Sequence, residues 1–249
     1  MITGILAAVL AAILGWMCGA LVNYLADVLP ARRRLSAPFC PGCEQDLNWL
    51  NYLLWPRRCP ACGRRRGLRT WLVEIAAVGA TVWLWYQQPH LGFWVGLVLL
   101  VYFGLVVVID LEHRLILHPV SLAGAVLGLG VGTWLHGWKS TLLGGLAGFG
   151  SMLALFVLGA VLMQIIARLR GRSIDEVALG FGDVNLSGVL GLLLGWPGVF
   201  AGLILTILLG GLVSLIYIVY MLIARRYRSF TAIPYGPFMA ASAVLLLFR

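Results

Sequence analysis

Residues 91–110 read LGFWVGLVLLVYFGLVVVID, and the only charged side chain among these twenty residues is the final aspartate. About 20 consecutive apolar residues in a helix are enough to cross the roughly 30 Å hydrocarbon core of a bilayer. An amphipathic helix of a soluble protein would instead show a polar face within this length. The stretch therefore predicts a membrane-spanning helix that ends at Asp110.

The whole chain has the same character. Of its 249 residues, 61% are apolar and 11% are charged, whereas soluble domains carry about 45–50% apolar and about 25% charged residues. A compact soluble fold could not bury this much apolar surface, and a disordered chain requires low hydrophobicity with high charge. The composition predicts an all-α, polytopic membrane protein.

Eight segments are long and apolar enough to be predicted as spans. The first is predicted to be a retained helix rather than a signal peptide, because no basic residue precedes its apolar run and no cleavage site follows. The segments are 3–26, 70–87, 91–110, 115–136, 140–167, 177–195, 197–224 and 232–248.

The formal net charge of +9 predicts the orientation of these spans. The loop 30–69 contains nine arginines, so the positive-inside rule places it in the cytoplasm. Arg114 and the two clusters Arg168/Arg170/Arg172 and Arg225/Arg226/Arg228 then also face the cytoplasm, while only Lys139 and Arg249 face away. This asymmetry favours topology over the alternative that the arginines bind nucleic acid.

Four of the five cysteines predict a metal site in that loop. Cys40-Pro-Gly-Cys43 and Cys59-Pro-Ala-Cys62 form the pattern C-x₂-C-x₁₅-C-x₂-C, which is typical of a structural zinc site with four thiolates. Such a site has no open coordination position and folds a loop too small to have its own core. Thiol–disulfide chemistry is the alternative, which the reducing cytoplasmic side disfavours. Cys18, inside the first span, is predicted to be ordinary packing.

Two aspartates lie where an ionisable side chain costs at least about 2.5 kcal/mol and usually marks function. Asp110 ends the third predicted span, and Asp183 lies in Gly180-Phe181-Gly182-Asp183 at the start of the sixth. In the predicted orientation both lie at the cytoplasmic ends of their helices and at similar depth. We therefore predict that the two carboxylates face one another.

Facing carboxylates predict an aspartic peptidase. Like charges at close range share one proton, so the ionised partner can take a proton from water while the protonated partner polarises the scissile carbonyl. Gly180 and Gly182 would allow backbone and substrate to approach Asp183. The alternative is that each aspartate only caps a helix or pairs with an arginine, and the residues alone leave both open.

Two other acids and the glycines have structural interpretations. Asp27 and Glu74 lie near span ends close to cytoplasmic arginines, which predicts ion pairing or anchoring at the interface. Small residues let helix backbones approach closely in lipid, so we predict helix packing at Gly144, Gly145, Gly148, Gly188, Gly191 and Gly195.

Five motifs in order make the chain resemble the type IV prepilin peptidases. Ile109–Arg114 is similar to the segment that carries that family's first catalytic aspartate, and Gly180–Asp183 is similar to its GxGD motif, with a glycine-rich run to Trp196. The other three are Gly19–Pro30, the paired Cys-x-x-Cys motifs and Pro234–Phe238.

The resemblance implies a specific enzyme of the bacterial inner membrane. It would cut the basic leader of prepilins and pseudopilins at a Gly–Phe type junction on the cytoplasmic side, just before an apolar helix of the substrate. Many members then N-methylate the new N-terminus with S-adenosylmethionine. Asp110 and Asp183 would be the catalytic pair, and Cys40, Cys43, Cys59 and Cys62 would hold structural zinc.

The implied organisation is a first transmembrane helix at 1–29, a zinc-binding loop at 30–69 and a transmembrane peptidase domain at 70–249. Two departures from the family pattern are Asn185, where lysine is usual, and His118-Pro119, where an acid is expected downstream. Membrane lipid is an expected partner and nucleic acid is not. An ion-coupled transporter that uses the intramembrane aspartates is the alternative function.

Overall fold

The computed structural model describes residues 2–53, 57–87, 90–170, 180–224 and 234–248. Within these ranges the backbone forms nine helices and no strand, which confirms the all-α prediction. The helices are α1 (Ile2–Arg32), α2 (Trp49–Leu53), α3 (Leu68–Gln87), α4 (Phe93–His113), α5 (His118–His136), α6 (Trp138–Arg170), α7 (Phe181–Leu194), α8 (Gly198–Ile223) and α9 (Gly236–Leu247).

Each of the eight predicted spans corresponds to one of these helices, but the helices differ in length. By length and composition, five of those described can cross a membrane: α1 from Ile5 onwards, α4, α5, α6 from Trp138 to Ile165, and α8. The 14 residues of α7 extend only about 21 Å, and α9 has 12 residues. The count of eight complete spans therefore stays a prediction.

The chain divides into two compact units between His113 and Arg114. In the first unit α1 packs along α3 and also contacts α4. Glycines allow this approach, because a Cβ atom added to Gly15 would lie 2.8 Å from the Cα of Val78, and one added to Gly19 would lie 2.8 Å from the Cα of Glu74. The described part of this unit also includes the loop that carries the four paired cysteines.

In the second unit the short helix α7 lies at the centre, in contact with α5, α6, α8 and α9. Most of its side chains are buried. A Cβ atom on Gly191 would lie 2.1 Å from the carbonyl oxygen of Gly144, and one on Gly148 would lie 2.4 Å from that of Ser187. The Ser187 hydroxyl donates to the Gly148 carbonyl at 2.8 Å. These contacts confirm the predicted glycine packing and bring the α6 and α7 backbones together.

Two predictions are not decided by these elements. The domain boundaries after residues 29 and 69 stay predictions, because the two compact units divide the chain elsewhere. The orientation prediction also uses Arg172, Arg225, Arg226, Arg228 and Arg249, which lie outside the described residues.

The contact between α6 and α7 can be tested with a single methyl group. We expect Gly191→Ala to lower the thermal unfolding temperature in detergent, because overpacking of a close contact costs about 1–3 kcal/mol. Gly150→Ala on α6 is the matched control, since its added methyl group would meet no atom within 4 Å. Equal unfolding temperatures for the two variants would contradict the close contact.

Candidate functional site

The loop between α1 and α3 folds into two matching knuckles. The Cys40 amide donates to Gln45 and the Glu44 amide donates back to Cys40, at 2.9 and 2.8 Å. The second knuckle repeats this pattern, with Cys59 bonded to Arg64 and Gly63 bonded to Cys59, both at 2.9 Å. Glu44 and Gly63 occupy equivalent turns with φ of 57° and 69°. Each knuckle therefore directs two sulfur atoms to one side.

The four sulfur atoms converge on one point. Cys40 Sγ lies 3.5 Å from Cys62 Sγ, and Cys43 Sγ lies 3.5 Å from Cys59 Sγ. All four lie within 4.8 Å of one another. Tetrahedral zinc with Zn–S bonds of about 2.3 Å places its sulfur ligands about 3.8 Å apart. The cluster therefore has the donor set and the spacing to hold a zinc ion, as predicted.

The hydrogen bond between the Cys43 and Cys59 thiols shifts their pKa values in opposite directions and raises the pKa of Cys43. The backbone amide of Cys62, with that of Ala61 and the neighbouring thiols, lowers the pKa of Cys59 to about 6 despite its burial. The thiolate is the form that binds metal. Cys18, on α1, lies apart from this cluster.

Below the knuckles, buried charges connect the loop to the helices. Both terminal nitrogens of Arg57 donate to Glu74 Oε2 at 3.1 Å, and Trp16 Nε1 donates to the same atom at 3.2 Å. The side chains of Arg57 and Glu74 are 6% and 5% exposed. Ion pairing, which the sequence predicts for Glu74, is therefore confirmed, and it is a buried pair.

Asp27 near the end of α1 forms a second connection. Its carboxylate accepts hydrogen bonds from Arg66 and Arg69 and, at 2.7 Å, from the Tyr52 hydroxyl. Burial, followed by the Asp27 carboxylate, raises the pKa of the Tyr52 phenol, so the phenol remains a donor. Arg69 also donates to Glu112 at 2.6 Å. The ion pairing predicted for Asp27 is confirmed.

A cavity of about 440 Å³ lies beside these groups in the first unit. Its lining includes Asp27, Glu44, Glu112 and His113 and several arginines of the loop. Within the described part of the chain, Arg58, Arg64 and Arg65 form no salt bridge. The cavity thus offers charged groups of both signs and has the volume of a small-molecule site.

Asp110 lies in the last turn of α4, within the first unit. It is 4% exposed, and the adjacent Ile109 is 2% exposed. A carboxyl group is rarely buried to this extent unless it is partnered or functional.

Asp183 lies in the first turn of α7, within the second unit. Its amide donates to the carbonyl of Gly180, the helix N-cap, at 3.1 Å. A Cβ atom on Gly180 would lie 3.4 Å from the Asp183 carboxylate, and one on Gly182 would lie 2.8 Å from the Cβ of Ile116. Gly182 therefore permits close packing against Ile116, whereas Gly180 has room for a side chain; their predicted role in the approach of substrate to Asp183 stays a prediction.

Tyr235 is a neighbour of Asp183 to which the sequence assigned no role. Its phenol interacts electrostatically with the Asp183 carboxylate. Its ring also packs edge-on against Phe238, with centroids 6.2 Å apart. The signal in the sequence was its place in the Pro234–Phe238 motif.

The predicted site residues are thus divided between the two units. The four cysteines and Asp110 belong to the first unit, and Gly180, Gly182 and Asp183 belong to the second. The facing arrangement of Asp110 and Asp183 stays a prediction. Nothing in the sequence singles out Arg57 and Tyr52, both of which the structure buries.

Comparison with known proteins gives matches over most of the chain. Residues 94–215 match the model of the type IV leader peptidase family, and residues 13–88 match that of the bacterial peptidase A24 N-terminal domain. The first range contains Asp110 and Asp183, and the second contains all four paired cysteines.

Several curated proteins are similar to this chain. A prepilin leader peptidase/N-methyltransferase of Pseudomonas aeruginosa is 33% identical over 223 residues, which cover 84% of this chain and 70% of the relative. Proteins of the same name from Legionella pneumophila and Burkholderia pseudomallei are 29% and 28% identical, with 86% and 89% of this chain covered and 72% and 71% of the relatives. No solved structure gives a significant match.

The cysteine cluster predicts a metal content that single substitutions can check. We expect one zinc per chain in the purified protein and in Cys18→Ser, and almost none in Cys40→Ser, because three thiolates bind zinc far less tightly. Metal analysis measures this directly. Trypsin sensitivity of the loop arginines should rise in Cys40→Ser only. Full zinc occupancy in Cys40→Ser would contradict the four-thiolate site.

The buried Arg57–Glu74 pair predicts that two charge substitutions will lower the stability of the protein by very different amounts. Glu74→Gln leaves a buried guanidinium unpaired, which costs about 3–5 kcal/mol. Asp46→Asn removes the exposed partner of Arg32, and such pairs contribute about 0–1 kcal/mol. Thermal unfolding of both variants measures the difference, and similar unfolding temperatures would contradict the buried connection.

Proposed function

The chain belongs to the type IV leader peptidase family, and from this premise we propose that it cleaves the leader peptide of prepilins and methylates the new N-terminus. The observation that carries the proposal is that the family match encloses both Asp110 and Asp183. The relatives from Pseudomonas aeruginosa and Legionella pneumophila carry both activities in their name, prepilin leader peptidase/N-methyltransferase. The alternative of an ion-coupled transporter has no support in these comparisons.

Peptide cleavage is assigned to Asp110 and Asp183 as a pair. With one proton shared between them, the ionised carboxylate takes a proton from water as the water oxygen attacks the scissile carbonyl. The protonated carboxyl group donates to the carbonyl oxygen. Proton transfer to the amide nitrogen then lets the C–N bond break, which releases the leader and a free amino terminus.

The helix ends favour one location for the shared proton. Asp183 lies in the first turn of α7, where unpaired backbone N–H groups stabilise negative charge. Asp110 is buried in the last turn of α4, where carbonyl groups carry the opposite partial charge. We therefore assign the general-base role to Asp183 and the proton-donor role to Asp110 in the resting pair. Tyr235 is a further hydroxyl group beside Asp183.

We place two cofactors in the first unit. The four thiols of the knuckles would hold structural zinc, which keeps the loop folded on the helices and leaves no open position for substrate. S-adenosylmethionine carries a carboxylate, an ammonium group and a sulfonium cation, and it supplies a methyl group when bound. We assign it to the 440 Å³ cavity, where Arg58, Arg64 and Arg65 can bind its carboxylate and Glu44 its ammonium group.

The protein is an integral membrane protein, and we place it in the bacterial inner membrane with the zinc loop on the cytoplasmic side. The supporting observation is the loop's arginine excess, which the positive-inside rule associates with the cytoplasm. The two catalytic carboxylates would then act at that interface, where a basic leader is accessible.

Substitution of either aspartate tests the peptidase assignment. We expect Asp110→Asn and Asp183→Asn each to reduce cleavage of a model prepilin at least about 1,000-fold, because proton transfer by a positioned group contributes about 10²–10⁴-fold and the pair acts as a unit. Cleavage by purified protein in vesicles, followed by mass spectrometry, measures this. Asp46→Asn is the control carboxylate, and full cleavage by either active-site variant would refute the assignment.

The same preparation separates the two activities. A pre-cleaved substrate should still gain one methyl group when incubated with Asp183→Asn and S-adenosylmethionine, because Asp183 is not among the residues that line the proposed methyl-donor cavity. Loss of methylation in this variant would contradict the placement of the donor in that cavity.

A further inference from the structure

A groove of about 770 Å³ opens on the second unit between α5, α6 and α7. About two helical turns of each helix form it, so it is about 11 Å long. The lining residues are mostly apolar, and Leu122 and Leu146 are 68% and 70% exposed. Ala125, Gly145 and Gly188 also form part of its wall.

One end of this groove is polar. His118 and Ser121 on α5 and Asn185 on α7 line it there. Ser121 is 9% exposed, and its hydroxyl oxygen has no hydrogen-bond partner among the described residues. A buried hydroxyl group without a partner costs free energy, and lipid chains offer no hydrogen bonds. These polar groups therefore favour an occupant that is apolar over most of its length and polar at one end.

The polar end is also the end at which α7 carries Asp183. Asn185 follows Asp183 by two residues, and Gly182 packs against Ile116, two residues before His118. Phe149 at the same end of α6 packs edge-on against Phe181, with ring centroids 6.5 Å apart. The groove thus runs away from the catalytic aspartate along the outside of α5, α6 and α7.

We propose that this groove binds the apolar helix of the substrate that follows the cleaved bond, and that His118, Ser121 and Asn185 bind a polar group near the start of that helix. The proposal rests on the peptidase function proposed above. A helix bound in this way would keep its first residues beside Asp183, so that binding along the groove orients the scissile bond. A lipid would present ester oxygens rather than a peptide group to the polar end, and the crosslinking experiment separates these two occupants.

The groove also explains where substrate selectivity would reside. Asn185 and His118 both lie at the polar end of the groove. Amide and imidazole side chains can both form hydrogen bonds with a bound polar group. We infer that they match a polar group of this protein's own substrates.

A tryptophan placed in the groove tests the proposal. Leu146→Trp fills the groove from a side chain that is already 70% exposed, and Leu208→Trp adds the same bulk on α8, where Leu208 is 62% exposed. We expect Leu146→Trp to raise the KM for a model prepilin with its apolar helix at least about fivefold, close to 1 kcal/mol of binding. Leu208→Trp should match the wild type, and Ser121→Ala should raise KM with little change in kcat.

The outcomes separate this proposal from the peptidase function. If the wild type cleaves the substrate and the two tryptophan variants have equal KM values, the proposal that the groove binds the substrate helix is wrong and the peptidase function stands. No cleavage by the wild type would overturn both.

Photo-crosslinking in vesicles supplies a second measurement, with benzoylphenylalanine at position 146 or 208 of the full chain. We expect crosslinks to the substrate helix from position 146 only. Crosslinks from that position only to lipid, or only to a second copy of the chain, would overturn the proposed occupant.

Discussion

The second unit depends on direct contact between the backbones of α6 and α7. Gly144, Gly148 and Gly191 leave no space for a side chain at this contact, and lipid provides no hydrophobic force that would otherwise hold two apolar helices together. The contact keeps the short helix α7 central although it has only 14 residues. Its first turn, which carries Asp183, and the groove beside it are both consequences of this placement.

The first unit is organised by buried charge instead. A loop with four paired cysteines is too small to form a hydrophobic core, so zinc and ion pairs must connect it to the helices. Arg57 on Glu74, and Arg66 and Arg69 on Asp27, provide these connections at the ends of α1 and α3. In this unit three arginines neutralise the acids near the interface, and three others, Arg58, Arg64 and Arg65, leave positive charge at the cavity that we assign to the methyl donor.

Some of these features could be predicted from the sequence and others could not. The four-cysteine cluster followed from spacing alone, because two knuckles bring sulfur atoms together whatever surrounds them. The glycine contacts followed from residue size. Burial of Arg57 could not be predicted, because one arginine among nine in a loop has no local signal that separates a buried guanidinium from a solvated one. The groove was equally invisible, because its wall combines residues from three helices that are distant in the chain.

The sequence by itself determined the membrane class, the helical fold and the four-cysteine cluster, and it singled out the two candidate aspartates, because each depends on composition or on spacing along one segment. Tertiary structure decided which helices are short, which acids are paired with arginines, and where a polar end meets an apolar groove beside Asp183. These features depend on which side chains different helices bring together. The energies of such contacts depend on distance and burial, which a linear pattern does not contain.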